Sequence, residues 1–427
     1  MAITGVTYEP QDYRTVYNPV EYVATSNQTA QDRFKFLFDV YDGATQIASL
    51  KVPADPNGYG RADIHGICES YIKTDLGEIN TGASADAFTD NANSYKEFTV
   101  QIGEEWFVGS TLNSNPNQRT KTVIVYNGCL PNYRVNGVNF AEYQTTNYYE
   151  RFVNNANTRR FLTNAPKGTG ANGKNQSVEI TDEGWLYFLY DDAAQSVATF
   201  DLTLYNAAGG ITAIYQINNN ATPLTDVKML KIPCAPNTIN NIDYNEIVGG
   251  TPTTQPIITN ETSYKIILKD STPAQASEEI WFNIDSECRY ETRRLEFLNS
   301  LGGFDCFNFT KVSKKSEEIE RKFYKQNADN LDGSGVINYN LKDREKVQYY
   351  TKSMPKMKLT SDWIDAQTFN WLLELIDSPE IYLYENGERI AVQNIEGNWE
   401  EKRSNVDMLF NLEVNLEFSM DNYRQRF

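Results

Sequence analysis

The run Gly168-Thr169-Gly170-Ala171-Asn172-Gly173-Lys174 has the spacing of a phosphate-binding loop, in which glycines let backbone amides close on a phosphate and the lysine meets its charge. That chemistry also needs Ser or Thr after the lysine to hold magnesium, and a helix directly beyond whose N-terminal amides complete the cradle. Asn175 takes the first place, and Ser177-Val178-Glu179-Ile180 has strand character, so the segment is read as a flexible loop between strands or between domains. The one histidine, His65, cannot build a site of several imidazoles within a single chain, and no GxSxG sequence accompanies it; a structural or interfacial role is expected. Asp329-Asn330-Leu331-Asp332-Gly333-Ser334-Gly335 has the oxygen-rich look of a calcium loop. With Gly333 in the sixth place, however, the first falls on Ala328 and the twelfth on Tyr339, which points to a turn. Five cysteines (Cys68, Cys129, Cys234, Cys288, Cys306) are scattered and never form a CxxC pair, so they read as buried apolar thiols. Paired carboxylates can cleave glycosides without histidine, but among 57 Asp and Glu no spacing singles out a pair. No catalytic, cofactor-binding or metal-binding residue is assigned, and the chain is not expected to be an enzyme or to need a cofactor.

The elements that would carry such groups are mostly strands. Phe34 to Tyr41 and Gln46 to Val52 flank an Asp42-Gly43 turn and predict a hairpin; further strands are expected over Glu97 to Ile102 and Lys121 to Tyr126, with a short helix from Ala62 to Tyr71. A polar loop from Thr163 to Asn175 leads to candidate strands at Ser177 to Ile180, Gly184 to Tyr190, Ala198 to Tyr205 and Ile211 to Ile217, a spacing that suits a β-sandwich. Val248-Gly249-Gly250-Thr251-Pro252-Thr253-Thr254-Gln255-Pro256 has the composition of a linker. Beyond it lie strands at Tyr264 to Leu268 and Glu279 to Ile284, then Lys314 to Lys325, a charged segment compatible with an exposed strand or a short helix. Phe369, Leu372, Leu373 and Ile376 form a helical stripe from about Asp362 to Ile376, with Thr360 or Ser361 as cap and Pro379 as stop; Glu380 to Tyr384 and Met408 to Phe418 read as closing strands. The expected organisation is an N-terminal β domain (1–165), a β-sandwich domain (176–247), a linker (248–260) and a C-terminal β-rich domain (261–427) with one packed helix near 362–376. The fold class is thus mainly β, multidomain and sandwich-like.

Composition adds bounds. Across 427 residues, 27 Tyr and 21 Phe exclude a disordered chain and suit pleated sheets and protein contact surfaces. A formal net charge of −18 argues against a surface that grips a nucleic-acid backbone, though an acidic wall past which DNA slides is compatible with it. Met1-Ala2-Ile3-Thr4-Gly5-Val6 lacks the basic and apolar regions of a signal peptide, and no stretch approaches the length of a bilayer span, so a soluble product made in a cytoplasm and no membrane partner are expected.

Two stretches carry a resemblance. Tyr17-Asn18-Pro19-Val20-Glu21-Tyr22-Val23 through Phe34-Lys35-Phe36 to Tyr59-Gly60-Arg61-Ala62-Asp63-Ile64, and Arg294-Leu295-Glu296-Phe297-Leu298-Asn299 with Gly302-Gly303-Phe304-Asp305, resemble virion structural proteins of tailed bacteriophages infecting Bacteroidetes, including crAss-like phages, and among them the ring-forming tail and neck components. Leu375-Ile376-Asp377-Ser378-Pro379 followed by Ile381-Tyr382-Leu383-Tyr384 is similar to the same set. The resemblance implies a tail ring or hub protein located in the virion and assembled in the bacterial host cytoplasm. It would form a cyclic homo-oligomer between portal and distal tail, contact other tail or neck proteins, and enclose a lumen through which DNA passes without specific binding. Trp281, Phe304, Phe307 and Phe309 are candidate interface or core anchors. The alternatives are a receptor- or carbohydrate-binding tail protein, to be recognised by glycan binding, and a carboxylate-based glycan depolymerase, to be recognised by polysaccharide cleavage.

Overall fold

A computed structural model describes residues 3–76, 86–131, 148–171, 173–191, 197–219, 227–249, 256–286, 290–395 and 409–424. The chain is mainly β, its strands distributed over several sheets, and it divides into two compact units. The first comprises Met1–Ser286 and Leu298–Cys306; the second comprises Glu287–Phe297 and Phe307–Phe427.

In the first unit, two cores each lie between a pair of sheets. One is built by a five-stranded sheet in the order Tyr13–Thr15, Thr111–Tyr126, Tyr95–Val108, Asp32–Asp42 and Thr45–Val52, with a three-stranded sheet of Ile3–Tyr8, Glu21–Ser26 and Tyr59–Asp63. Alternation sends Phe36, Phe38, Val40, Phe98, Val100 and Ile102 inward, where they meet Tyr22, Ala24 and Ala62. The hairpin expected at Asp42-Gly43 is present, with Asp42 paired to Thr45 and Gly43 at φ 57°, a conformation glycine adopts without a Cβ penalty. The expected helix at Ala62–Tyr71 shrinks to His65–Glu69. Ala62 and Asp63 belong to a strand instead, and the Asp63 carboxylate ends it by accepting from the Val20 and His65 amides at 3.0 and 3.1 Å.

The second core lies between a six-stranded sheet and a three-stranded one. Phe200, Leu202, Leu204, Tyr264, Ile266, Leu268 and Phe282 come from the first; Leu186, Phe188, Leu230 and Ile232 come from the second. This corrects the expected domain boundary at 248–260. The central strand Thr199–Tyr205 pairs on one side with Ile211–Asn218 and on the other with Ser263–Lys269, so strands before and after the supposed linker share one sheet. A Gly-, Pro- and Thr-rich composition marks a loop equally well between neighbours in a sheet and between domains, and here the backbone pairing decides which. Residues 250–255 of that segment lie outside the described residues.

The chain returns to the first unit at 298–306, where the residues of the Gly-Gly-Phe-Asp stretch are locked in place. Asn299 Oδ1 accepts from the Leu301 and Gly303 amides at 3.0 and 3.1 Å, its Nδ2 donates to Leu162 O at 3.0 Å, and Asp305 Oδ1 accepts from the Asn164 amide at 2.6 Å. Gly302 has φ 87°, and a Cβ there would lie 1.4 Å from Asn127 O, so no other residue fits.

The second unit is a long sheet in the order Phe304–Phe309, Arg293–Leu298, Ile381–Glu385, Glu388–Asn394, Glu413–Phe418, Lys346–Thr360 and Lys314–Lys325, the first two strands straddling the unit boundary. The helix Ala366–Asp377 packs on it through Phe369, Trp371, Leu372 and Leu375. Trp371 meets Phe297 and Phe307, with ring centroids 5.8 and 6.0 Å apart, and Phe369 stacks on Phe410 at 4.6 Å. Relative to the expected stripe, Leu373 and Ile376 are only half-buried while Trp371 and Leu375 are covered. The cap also differs. Asp365 accepts from the Thr368 amide at 2.8 Å, because Thr360 is committed to a strand and Ser361 Oγ accepts from the Leu412 amide at 2.8 Å. The closing strand pattern splits into Leu409–Phe410, paired with Ile364–Asp365, and Glu413–Phe418; Met408 lies outside the described residues.

On the opposite face of this sheet, Glu296 is 1% exposed and Arg389 Nε lies 2.6 Å from its carboxylate, with Tyr384 OH donating at 3.1 Å. Burial pushes the Glu296 carboxyl up, and Arg389 pulls it back. Removing either partner would strand the other charge in a dry site, so the pair fixes the alignment of three neighbouring strands.

Candidate interaction surface

The strand Lys314–Lys325 is exposed at every one of its 12 positions. It pairs with Lys346–Thr360 from Lys314 opposite Lys358 to Lys325 opposite Lys346, with one register shift between Lys322 and Phe323. The sequence admitted either an exposed strand or a short helix here; the residues favour a strand because charges on both faces leave no apolar stripe for a helix to bury. Among the described residues its outer edge pairs with no other strand. Lysines and glutamates along such an edge discourage indiscriminate pairing. Several are held within the unit: Glu318 contacts Lys356 at 2.5 Å, Lys315 contacts Glu385 at 2.6 Å, and Lys322 lies over the Tyr350 ring at 4.8 Å.

The ribbon continues into a small hairpin, Asp329–Leu331 with Ile337–Tyr339. Its turn is the segment with the composition of a calcium loop. Asp332 Oδ1 accepts from the Ser334 and Val336 amides at 2.9 and 2.8 Å, and these bonds hold its carboxyl below the usual range. The carboxylate is therefore used to close the turn. Apolar side chains crowd this tip in the open: Leu331 is 71% exposed, Tyr339 75% and Leu341 109%. Among the described residues of the second unit they form, with Val336 and Ile337, the most concentrated run of exposed large apolar side chains, the kind of surface that marks a protein contact.

The other singled-out residues take their places elsewhere. Trp281 is buried, its ring 4.9 Å from that of Tyr205 and its Nε1 donating to Glu279 at 3.2 Å. Phe304 is buried beside Tyr187, and Phe309 is fully buried with half-buried Phe307 edge-on at 5.1 Å. The structure does not bring these four rings into one exposed site. His65 Nδ1 lies 3.0 Å from Asp63, at the end of the strand that precedes its helix. The glycine-rich loop is followed by the strand Gln176–Val178, and Asn175 Nδ2 donates to Gly170 O and to Asn283 Oδ1, both at 2.9 Å, so the loop closes on itself and on a neighbouring strand. Asn172 lies outside the described residues. Cys68, Cys234 and Cys306 are buried free thiols, whereas Cys129 is exposed, a correction to the expectation that all would be buried; Cys288 lies outside the described residues. Among the described residues no three His, Cys, Asp or Glu side chains are grouped to hold a metal ion, and no helix is long and apolar enough to cross a membrane.

No protein-family model matches the chain, and no curated protein does.

Proposed function

We propose that this protein is a structural component of a phage tail, assembling as a ring or hub around the DNA channel between portal and distal tail. The observation that carries the assembly part is the β arm of the second unit: a charged two-stranded ribbon whose tip exposes Leu331, Tyr339 and Leu341. Keeping those side chains in water costs free energy that contact with another protein recovers. Its flanking charges keep the free chain from aggregating through the open edge. The placement in a tail is supported by the resemblance of the Tyr17–Ile64 and Arg294–Asp305 stretches to ring-forming virion proteins. An acidic chain suits a conduit, since like charge lets DNA slide past without capture.

Immunogold labelling of purified virions with antibodies raised against this chain tests the placement. Label at the tail or neck is the expected outcome; label confined to the capsid, or particles that lack the chain, would overturn it.

A further inference from the structure

The open edge of the arm carries a charge pattern that complements itself. Among the described residues no strand covers the outer edge of Lys314–Lys325, and all of its side chains are exposed. At its one register shift the pairing steps from Lys322 opposite Tyr350 to Phe323 opposite Gln348, so the extra residue belongs to the neighbouring strand and Lys314–Lys325 keeps an unbroken alternation. Its outward amides and carbonyls are therefore set at regular intervals, the form of edge to which another strand adds.

In any strand the outward backbone groups come from alternate residues. Two copies of one edge can thus meet antiparallel only where facing residues belong to the same alternate set, which puts a two-fold axis at a residue facing its own copy. With the axis at Arg321, Glu320 faces Lys322 and Glu317 faces Lys325, each twice; Glu318 faces Tyr324, and Ile319 faces Phe323. Ile319 and Phe323 are 41% and 44% exposed, so this register also covers apolar surface. Arg321 alone meets a like charge, against four contacts of opposite charge. Neighbouring axes do worse. An axis at Ile319 sets Glu318 against Glu320, one at Glu320 sets Glu320 against itself and Lys315 against Lys325, and one at Lys322 leaves no glutamate of the strand facing a cation.

Contacts within one chain leave these charges at the surface. Glu320 and Lys322 lie 3.3 Å apart with side chains 47% and 52% exposed, Lys325 lies 3.7 Å from exposed Glu345, and Glu317 accepts from the neutral Ser353 hydroxyl at 2.9 Å. Exposed ion pairs of this kind are weak, and across the axis the two Glu320–Lys322 pairs combine into an alternating square.

We propose that the arms of two copies of this chain join edge to edge over Glu317 to Lys325, antiparallel about a two-fold axis at Arg321, so that one sheet runs through the pair. The charges that discourage indiscriminate pairing select this register. A two-fold contact uses the same patch on both partners, so it builds a pair and leaves the apolar tip for a different contact. The pairing rests on this edge alone and is independent of the placement in a tail.

The test is sedimentation of the full chain over a concentration series, for the natural sequence and two variants: Glu317→Lys with Glu320→Lys, and Lys322→Glu with Lys325→Glu. Circular dichroism checks that each folds. The natural chain is expected to dimerise. Either variant alone turns all four favourable contacts into like-charge ones and should weaken dimerisation by about tenfold or more. An equimolar mixture of the two should recover it as a heterodimer, because every lysine of one chain then faces a glutamate of the other. Oxidative cross-linking in a Cys129→Ser background checks the register. Facing residues lie about 4.5–5.5 Å apart at Cα, within reach of a disulfide, so Arg321→Cys should link to its copy, whereas Lys325→Cys, about 27 Å from its copy, should not. A natural chain that stays monomeric, or variants whose mixture fails to associate, would overturn the pairing. Oligomers that survive both reversals would overturn it too, while leaving self-assembly through another surface intact. Linkage at Lys325→Cys without linkage at Arg321→Cys would overturn the register.

Discussion

Glu246 sits in a short 3-10 turn with its Oε2 accepting from the Ala87 amide at 2.6 Å. Burial pushes its carboxyl up to about 7; the Ala87 bond pulls it down, and Asp86 and Asp243 add to the rise. The native state therefore keeps a proton that the unfolded chain, with an ordinary glutamate near 4.3, has already released. Stability gained from that proton is fully present below the unfolded value and is lost as pH rises through about 7. For a half-buried group screened by solvent this amounts to roughly 1–2 kcal/mol. Urea unfolding at pH 5 and pH 8 should show the decline in the natural chain and its absence in Glu246→Gln; an equal decline in both would remove Glu246 as the cause. Gly302 gives a second residue-scale prediction. Gly302→Ala should cost more than about 2 kcal/mol, because both its φ and the 1.4 Å approach to Asn127 O forbid a side chain. A thermal midpoint unchanged from the natural chain would contradict that. The sequence offered no sign of Glu246, since burial of one carboxylate among 57 depends on which loops converge on it. Gly302 could be noticed as part of a Gly-Gly pair, but its reason lies in a carbonyl far away in sequence.

Among the elements, alternation was a sound guide wherever one face of a strand is buried. Phe36, Phe38 and Val40 in one strand and Val414 and Leu416 in another were legible because period-two burial is written directly into residue order. The arm was only half legible. A solvated ribbon has no buried face, so Lys314–Lys325 shows no hydrophobic period, and only the turn at Asp332-Gly333-Ser334-Gly335 could be read from the residues there. The helix was legible in its existence but not in its start, because several capping residues precede it and tertiary bonds to Ser361 decide among them. Two substitutions separate the roles of these elements. Asp365→Ala should lower stability by about 1 kcal/mol by leaving the Thr368 amide without its acceptor. Leu341→Ser at the arm tip, where the side chain is fully in water, should change stability by less than about 0.5 kcal/mol. Chemical denaturation reads both, and a large loss at Leu341 would mean that the tip serves the fold of its own chain.

At the scale of the whole molecule, sheets from distant parts of the sequence share cores, which is why the linker-like stretch at 248–256 did not mark a domain boundary. Composition reports local backbone preference, while membership of a compact unit is decided by long-range pairing such as that of Thr199–Tyr205 with Ser263–Lys269. A scaffold of this kind, bearing a charged arm with an apolar tip, is suited to mechanical assembly. The most direct test of that claim is the mass of the purified full-length chain by native mass spectrometry across a range of concentrations, with imaging of any large species. Closed oligomers of one defined copy number, formed alone or on adding a partner tail protein, are the expected result. A chain that remains monomeric under all these conditions and binds or cleaves a host polysaccharide would contradict the account.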